Sequence, residues 1–206
     1  MRKLFILGFS MLLAACGGSD NSSSSNSKSS EDPPKITQPI TQTSLSPATQ
    51  PPSMKGMLEA HNKARAAVGI NALVWSSKMT EYAEEWAKHL ANNKDCTMIH
   101  RVEADNNPLG AGENLYWASP VKWSDGRTET QSIGTKDVAQ SWGEEKTYYN
   151  YDANTCAKGK QCGHYTQMVW NTTLEVGCGM AFCPDKGQIW VCNYNPPGNI
   201  IGNKPY

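Results

Sequence analysis

Seven cysteines and four histidines are the side chains best suited to chemistry in this 206-residue chain. Thiolates and imidazoles ligate metals, attack carbonyls or carry protons, and cysteines also close disulfides. Six of the cysteines, Cys96, Cys156, Cys162, Cys178, Cys183 and Cys192, remain once Cys16 is set aside for the reason given below. An even set in an exported chain predicts three disulfides, and the residues alone leave fifteen pairings open. No pair has the Cys-x-x-Cys spacing of a zinc knuckle, which disfavours thiolate zinc. The densest string around a histidine is Cys162-Gly163-His164-Tyr165-Thr166-Gln167-Met168-Val169-Trp170. His-Glu-x-x-His and Gly-x-Ser-x-Gly strings are both missing, and pairing of all six cysteines removes a free-thiol nucleophile.

The elements that must position these groups begin after an export signal. Arg2 and Lys3 precede an apolar run, Leu4 to Leu13, too short to span a bilayer as a permanent helix. It ends in Leu13-Ala14-Ala15-Cys16, which resembles the lipobox at which bacterial lipoproteins are cut and acylated. The competing reading is a plain secretory signal that contains a cysteine. Residues 1–15 are thus a signal peptide and Cys16 a lipid anchor, and Gly17 in place of Asp points to the outer membrane by the same resemblance. Residues 16–53 are Ser-, Asn-, Thr- and Pro-rich and read as a tether, as in Pro33-Pro34 and Pro51-Pro52.

All seven Trp and all eight Tyr lie beyond residue 74, so the core belongs to a domain over residues 54–206. Helical spacing runs from Met57 to Val68, ending at Gly69, and again from Trp75 to Ala91, with Ser76 or Ser77 as a cap. A third helix spans about Thr135 to Lys146. Tyr165–Trp170, Gly177–Phe182 and Gln188–Tyr194 read as strands, and Glu103–Gly134 as a long irregular stretch. Helices followed by adjacent antiparallel strands indicate an α+β fold or a layered α-β-α sandwich. With 19 basic and 19 acidic residues and no run of one sign, nucleic acid is not the expected partner.

Five motifs in order carry a resemblance. They are His61-Asn62-x-x-Arg65, Gly112-Glu113-Asn114-Leu115, Trp142-x-x-Glu145-x-x-x-Tyr149-Asn150-Tyr151, the string around His164, and Cys192-Asn193-Tyr194-Asn195-Pro196-Pro197-Gly198-Asn199. Together they resemble the CAP superfamily of cysteine-rich secretory proteins, antigen 5 and class-one pathogenesis-related proteins. That resemblance implies a three-layer α-β-α sandwich with a central antiparallel sheet. It also implies the pairs Cys96 with Cys183, Cys156 with Cys162, and Cys178 with Cys192. Motif by motif it implies a cleft in which His100 and His164 ligate a divalent ion, with Glu113 and Glu145 behind them. Two protein ligands leave open positions, so zinc would bind weakly and exchangeably. Met98-Ile99-His100-Arg101 departs from the plant pattern Leu-Val-His-Ser, and Arg101 could pair with a cleft glutamate. His61 and His89 are read as structural or exposed and stand outside the site.

Two functions follow. Several CAP relatives bind sterols or other lipids, and Tyr116, Trp117 and Trp123, in a stretch punctuated by Gly and Pro, could form an apolar rim. The leading reading is a non-catalytic, lipid-anchored module that binds a sterol, a lipid or a protein at a cell or host surface. The alternative is a zinc-dependent hydrolase or protease using the two histidines and two glutamates.

Overall fold

The computed structural model describes residues 48–206. Residues 1–47, which hold the expected signal peptide, the expected acylation site Cys16 and most of the expected tether, lie outside the described residues. Ala48 already packs against the core, and a 3-10 turn over Pro52–Met54 leads into the first helix. In chain order follow α1 (Met57–Ala66), β1 (Val74–Trp75), α2 (Ser77–Asn93), β2 (Gly112–Ala118), β3 (Val121–Lys122), β4 (Thr128–Glu129), α3 (Thr135–Glu144), β5 (Tyr149–Asn150), β6 (Thr155–Cys156), α4 (Gly163–Met168), β7 (Glu175–Phe182) and β8 (Gln188–Asn195). The central sheet has the order β1-β7-β8-β2. Three of its strands are antiparallel, but β1 runs parallel to β7, pairing Trp75 with Val176, so the sheet is mixed rather than purely antiparallel.

Alternation along β7 and β8 makes the layers, because successive strand residues face opposite sides. Val176, Cys178, Trp190, Cys192 and Tyr194 face a core shared with Met57 of α1, Val138, Ala139 and Trp142 of α3, and Tyr165 and Met168 of α4. Ile189 and Val191 face the other way and pack on Ala83, Trp86, Ala87 and Leu90 of α2. On that side β7 carries glycine, and a Cβ at Gly177 would overlap the backbone of Met79 and Thr80. At Gly179 it would lie 2.7 Å from the backbone nitrogen of Glu84. The two glycines let α2 sit directly on the sheet.

Three differences from the sequence reading have local causes. Trp75 precedes α2 and belongs to β1, because the Ser76 side chain accepts from the Met79 amide and caps a helix whose first residue is Ser77. Tyr165–Trp170 is not a strand: Gly163–Met168 is helical, and Tyr165, Met168 and Val169 turn inward at helical spacing. The stretch Glu103–Gly134 contains the seven-residue strand β2, which pairs with β8 along its whole length from Gly112–Tyr194 to Ala118–Gln188. The three disulfides join Cys96 to Cys183, Cys156 to Cys162 and Cys178 to Cys192, the pairing implied by the family resemblance.

Candidate functional site

Strand β2 is the edge of the sheet, and its first residues hold both histidine–glutamate pairs from opposite sides. Glu113 faces the α2 side beside its cross-strand neighbour Asn193. Its Oε1 accepts from His100 Nδ1 at 2.9 Å and from the Arg101 amide at 3.1 Å, and its Oε2 accepts from Asn193 Nδ2 at 3.2 Å. Asn114, the next residue, points to the opposite face. Its amide donates to the His164 carbonyl at 3.1 Å and to the Tyr194 hydroxyl at 3.0 Å.

The second pair is made by a helix start. Glu145 opens the 3-10 turn after α3, and its Oε1 meets His164 Nδ1 at 2.6 Å. Its Oε2 accepts the backbone amides of His164 and Tyr165, at 2.9 and 3.1 Å. These are otherwise unpaired N–H groups of the first turn of α4, where a carboxylate is favoured by charge as well as geometry. The Trp142 ring lies nearly parallel to the imidazole of His164 with centroids 6.0 Å apart. The four implied residues thus form two pairs, linked through the adjacent residues Glu113 and Asn114.

The chemistry of each pair follows from its acceptors. An ionised carboxylate can only accept, so each histidine carries its proton on Nδ1 and leaves the Nε2 lone pair available, the arrangement that suits a metal ligand. Among the described residues no protein group hydrogen-bonds either Nε2. The carboxylates are occupied by backbone and side-chain donors, so they orient the imidazoles. Among the described residues, no cluster of three or more His, Cys, Asp or Glu side chains has the arrangement of a metal centre. The hydrogen bond that His100 donates to Glu113 raises the pKa of His100 above 6.5, against the opposing pull of partial burial.

Arg101 does not place its side chain on a cleft glutamate. The buried guanidinium lies 3.7 Å from the Tyr82 ring centroid, donates to the Tyr82 carbonyl at 2.7 Å and meets Glu85 of α2 at 3.0 Å. Only its backbone amide touches Glu113. His61 is fully buried and structural: Nδ1 lies 2.8 Å from the Met57 carbonyl and Nε2 2.8 Å from the Tyr194 hydroxyl. His89 stacks on Trp86 with ring centroids 4.7 Å apart. The aromatic rim does not form as expected. Tyr116 and Trp117 are consecutive residues of β2, so they face opposite sides, Tyr116 toward the α1–α3–α4 core and Trp117 toward the α2 side. Trp123 follows β3 and stacks with Arg127.

Asn114, Asn193 and Tyr194, to which the motifs by themselves assign no role, complete the site. Their signal was present, since all three sit inside the Gly-Glu-Asn and Cys-Asn-Tyr-Asn strings. A groove of about 690 Å³ also lies between α1 and α3, with Ala60, Ala64, Ala67, Ala139 and Met168 along it and Lys63, Lys136 and Lys146 at its margin. Small residues at helical spacing on both helices were its only trace in the sequence.

Such a disulfide-braced α+β sandwich, with paired imidazoles and carboxylates at the edge of its sheet, defines a class of protein recognisable by comparison. Residues 58–194 match the model of the CAP, or cysteine-rich secretory protein, family. Pathogenesis-related protein 1C of Nicotiana tabacum is 42% identical over 154 residues, covering 75% of this chain and 81% of that protein. Pathogenesis-related protein PRMS of Zea mays is 40% identical over 166 residues, 80% of this chain and 89% of that one. Venom allergen-like protein 4 of Schistosoma mansoni superposes with a TM-score of 0.56 at 26% identity, covering 76% of this chain and 94% of that chain. The chain belongs to the CAP family and is a domain of the pathogenesis-related class-one type.

Proposed function

We propose that this CAP protein is an exported binding module, anchored through an acylated Cys16, whose ligand is an amphiphile with an apolar chain and an anionic head. The observation that carries this reading is the groove between α1 and α3. Its volume of about 690 Å³ is within the range of small-molecule sites. Alanines and Met168 offer an apolar floor, while Lys63, Lys136 and Lys146, set against Glu59 and Glu144, leave a basic margin for an anionic group. Three disulfides support export, because such bonds persist in oxidising compartments. Saturable displacement of a fluorescent fatty acid is expected from the wild type, with affinity reduced at least about tenfold in Ala64→Trp, which fills the groove. Absence of uptake by folded wild type, or uptake indifferent to Ala64→Trp, overturns the reading. Cholesterol and ergosterol belong in the same series, since a preference for them would favour a sterol over an acyl chain. Mass spectrometry of the mature chain tests the anchor: an unmodified Cys16, or a start elsewhere, removes it.

The free Nε2 atoms favour a second property, weak zinc binding by His100 and His164. A bound divalent ion would supply Lewis acidity and a more acidic water. The chain's own part is to fix both imidazoles in the ligating tautomer through Glu113 and Glu145. Calorimetric titration of zinc should show saturable binding that is lost in His100→Ala and in His164→Ala, each checked for folding by circular dichroism. No heat from folded wild type makes the two pairs structural. The hydrolase alternative stands only if peptide or ester turnover appears with zinc and vanishes in His164→Ala.

A further inference from the structure

Ile201 is 99% exposed and its neighbour Ile200 49% exposed, at the tip of a tight turn closed by a hydrogen bond from the Asn203 amide to the Ile200 carbonyl at 3.0 Å. A fully exposed isoleucine leaves its whole apolar side chain in water with nothing gained from packing. Fixing one there, beside a half-exposed second, is not the work of a loose end. Gly202 holds the turn with a left-handed φ of +85°, and Asn154 of the β5–β6 hairpin donates to the Asn203 carbonyl at 3.0 Å. Asn171 donates to the Pro205 carbonyl at 2.7 Å, and Tyr206 stacks on Tyr151 with centroids 4.6 Å apart. The tip is thus exposed on a rigid mount.

The charge around this mount is one-sided. Lys160 sits 4.6 Å from the centroid of the exposed Tyr148 ring, and Lys204 sits 4.4 Å from that of Tyr151. Lys158 adds a third cation in the turn after β6, and Asp152 is the one acidic residue between Lys146 and Gln161. From Asn195 to Tyr206 there is one lysine and no Asp or Glu. Exposed apolar side chains on a mount that carries amphipathic tyrosines, with lysines whose stems can extend toward phosphates, match the chemistry of a membrane interface.

We propose that the Ile200–Ile201 turn, with Lys158, Lys160 and Lys204, is a docking surface for an anionic lipid membrane, inserting the two isoleucines below the headgroups. The surface is built from the domain's own residues and is independent of acylation at Cys16 and of the groove between α1 and α3. Of the possible occupants, the lysines select an anionic bilayer, since an apolar protein partner would not need them.

The test uses the full chain carrying Cys16→Ser, so that no acyl group contributes, in flotation with vesicles of phosphatidylcholine alone or mixed equally with phosphatidylglycerol. Binding is expected only to the anionic vesicles and should weaken steeply as salt shortens the Debye length from about 10 Å to about 3 Å. Ile200→Ser with Ile201→Ser should lower the partition coefficient at least about tenfold, and the paired Leu substitutions should restore it. Lys158→Gln with Lys160→Gln and Lys204→Gln should lower it by a similar factor. Displacement of free fatty acid from the groove should be the same in the Ser variant as in wild type, separating this surface from the ligand site. No flotation by folded protein, equal flotation of the Ser and wild-type chains, or loss of self-association rather than of vesicle binding in the Ser variant overturns the proposal.

Discussion

His61 shows how far one side chain's protonation is dictated by its neighbours. The Met57 carbonyl can only accept, so Nδ1 carries the proton, and Nε2 must accept from the Tyr194 hydroxyl, which in turn receives Asn114. Full burial lowers the His61 pKa from 6.5 to about 4, and the nearby positive charge of Arg65 works in the same direction. Between those values the unfolded chain takes up a proton that the native protein refuses. The stability contribution is therefore complete above pH 6.5 and is lost as the pH falls toward 4, by about 3 kcal/mol. His100 has the opposite sign: its raised pKa contributes below 6.5, and that contribution disappears as the pH climbs through the raised value. Imidazole NMR titration combined with urea midpoints against pH checks both. A His61 resonance that titrates near its ordinary value would contradict this account. Arg65 beside it is buried without a carboxylate, yet four carbonyls, of Asn71, Met168, Trp170 and Thr173, take its donors, and burial lowers its pKa only to about 10. It stays charged and clamps α1 to the turn after α4.

At the scale of elements, α4 is six residues long, too short to form by itself. Its first turn exists because Glu145 receives two of its amides and the His164 ring together. Glu145→Gln leaves one acceptor oxygen where two stood and removes the charge, so a loss of about 2 kcal/mol is expected in urea unfolding. The His164 ring should also lose its fixed tautomer, visible as a change in its nitrogen shifts. Unchanged stability would mean that α4 is held by its apolar side alone. This dependence is why Tyr165–Trp170 resembled a strand in the sequence: its β-rich composition is local, whereas the carboxylate that starts the helix lies twenty residues earlier than Tyr165. Strand β2 was concealed for a similar reason. Its partner β8 is distant in sequence, and an edge strand with Gly112, Asn114 and an exposed Trp117 lacks a continuous apolar face.

Across the whole molecule, disulfides tie segments of very different separation. Cys96 and Cys183 are 87 residues apart and fasten the loop after α2 to the end of β7, while Cys156 and Cys162 are 6 apart. Chain entropy predicts that removing the first by paired Ala substitution costs about 5 kcal/mol and removing the second about 2 kcal/mol. Chemical denaturation of the two double variants gives the order. A larger loss from the short link would show that native packing, rather than the unfolded chain, sets the effect. The short link bears on the proposed docking surface, since Cys156–Cys162 braces the hairpin beside the Ile200–Ile201 turn and the start of α4.

The sequence by itself determined the family, through five ordered motifs, and the elements whose signal is local and periodic. The faces of α1, α2 and α3 could be read from their spacing, β7 and β8 from their strand-like runs and intervening turn, and three disulfides from an even set of cysteines. It also carried all four residues of the two histidine–glutamate pairs, but only the motif match named them, because partners separated by 13 and 19 residues leave no periodic trace. Tertiary structure alone decided which glutamate serves which histidine, that Arg101 turns to α2 and away from the cleft, and that Tyr116 and Trp117 part to opposite faces. It also created the α1–α3 groove and set Ile201 at an exposed tip. Each of these depends on atoms brought together by the closing of the sheet and helices. Hydrophobic periodicity specifies which face of an element is buried, and the packing of distant elements specifies what that face meets.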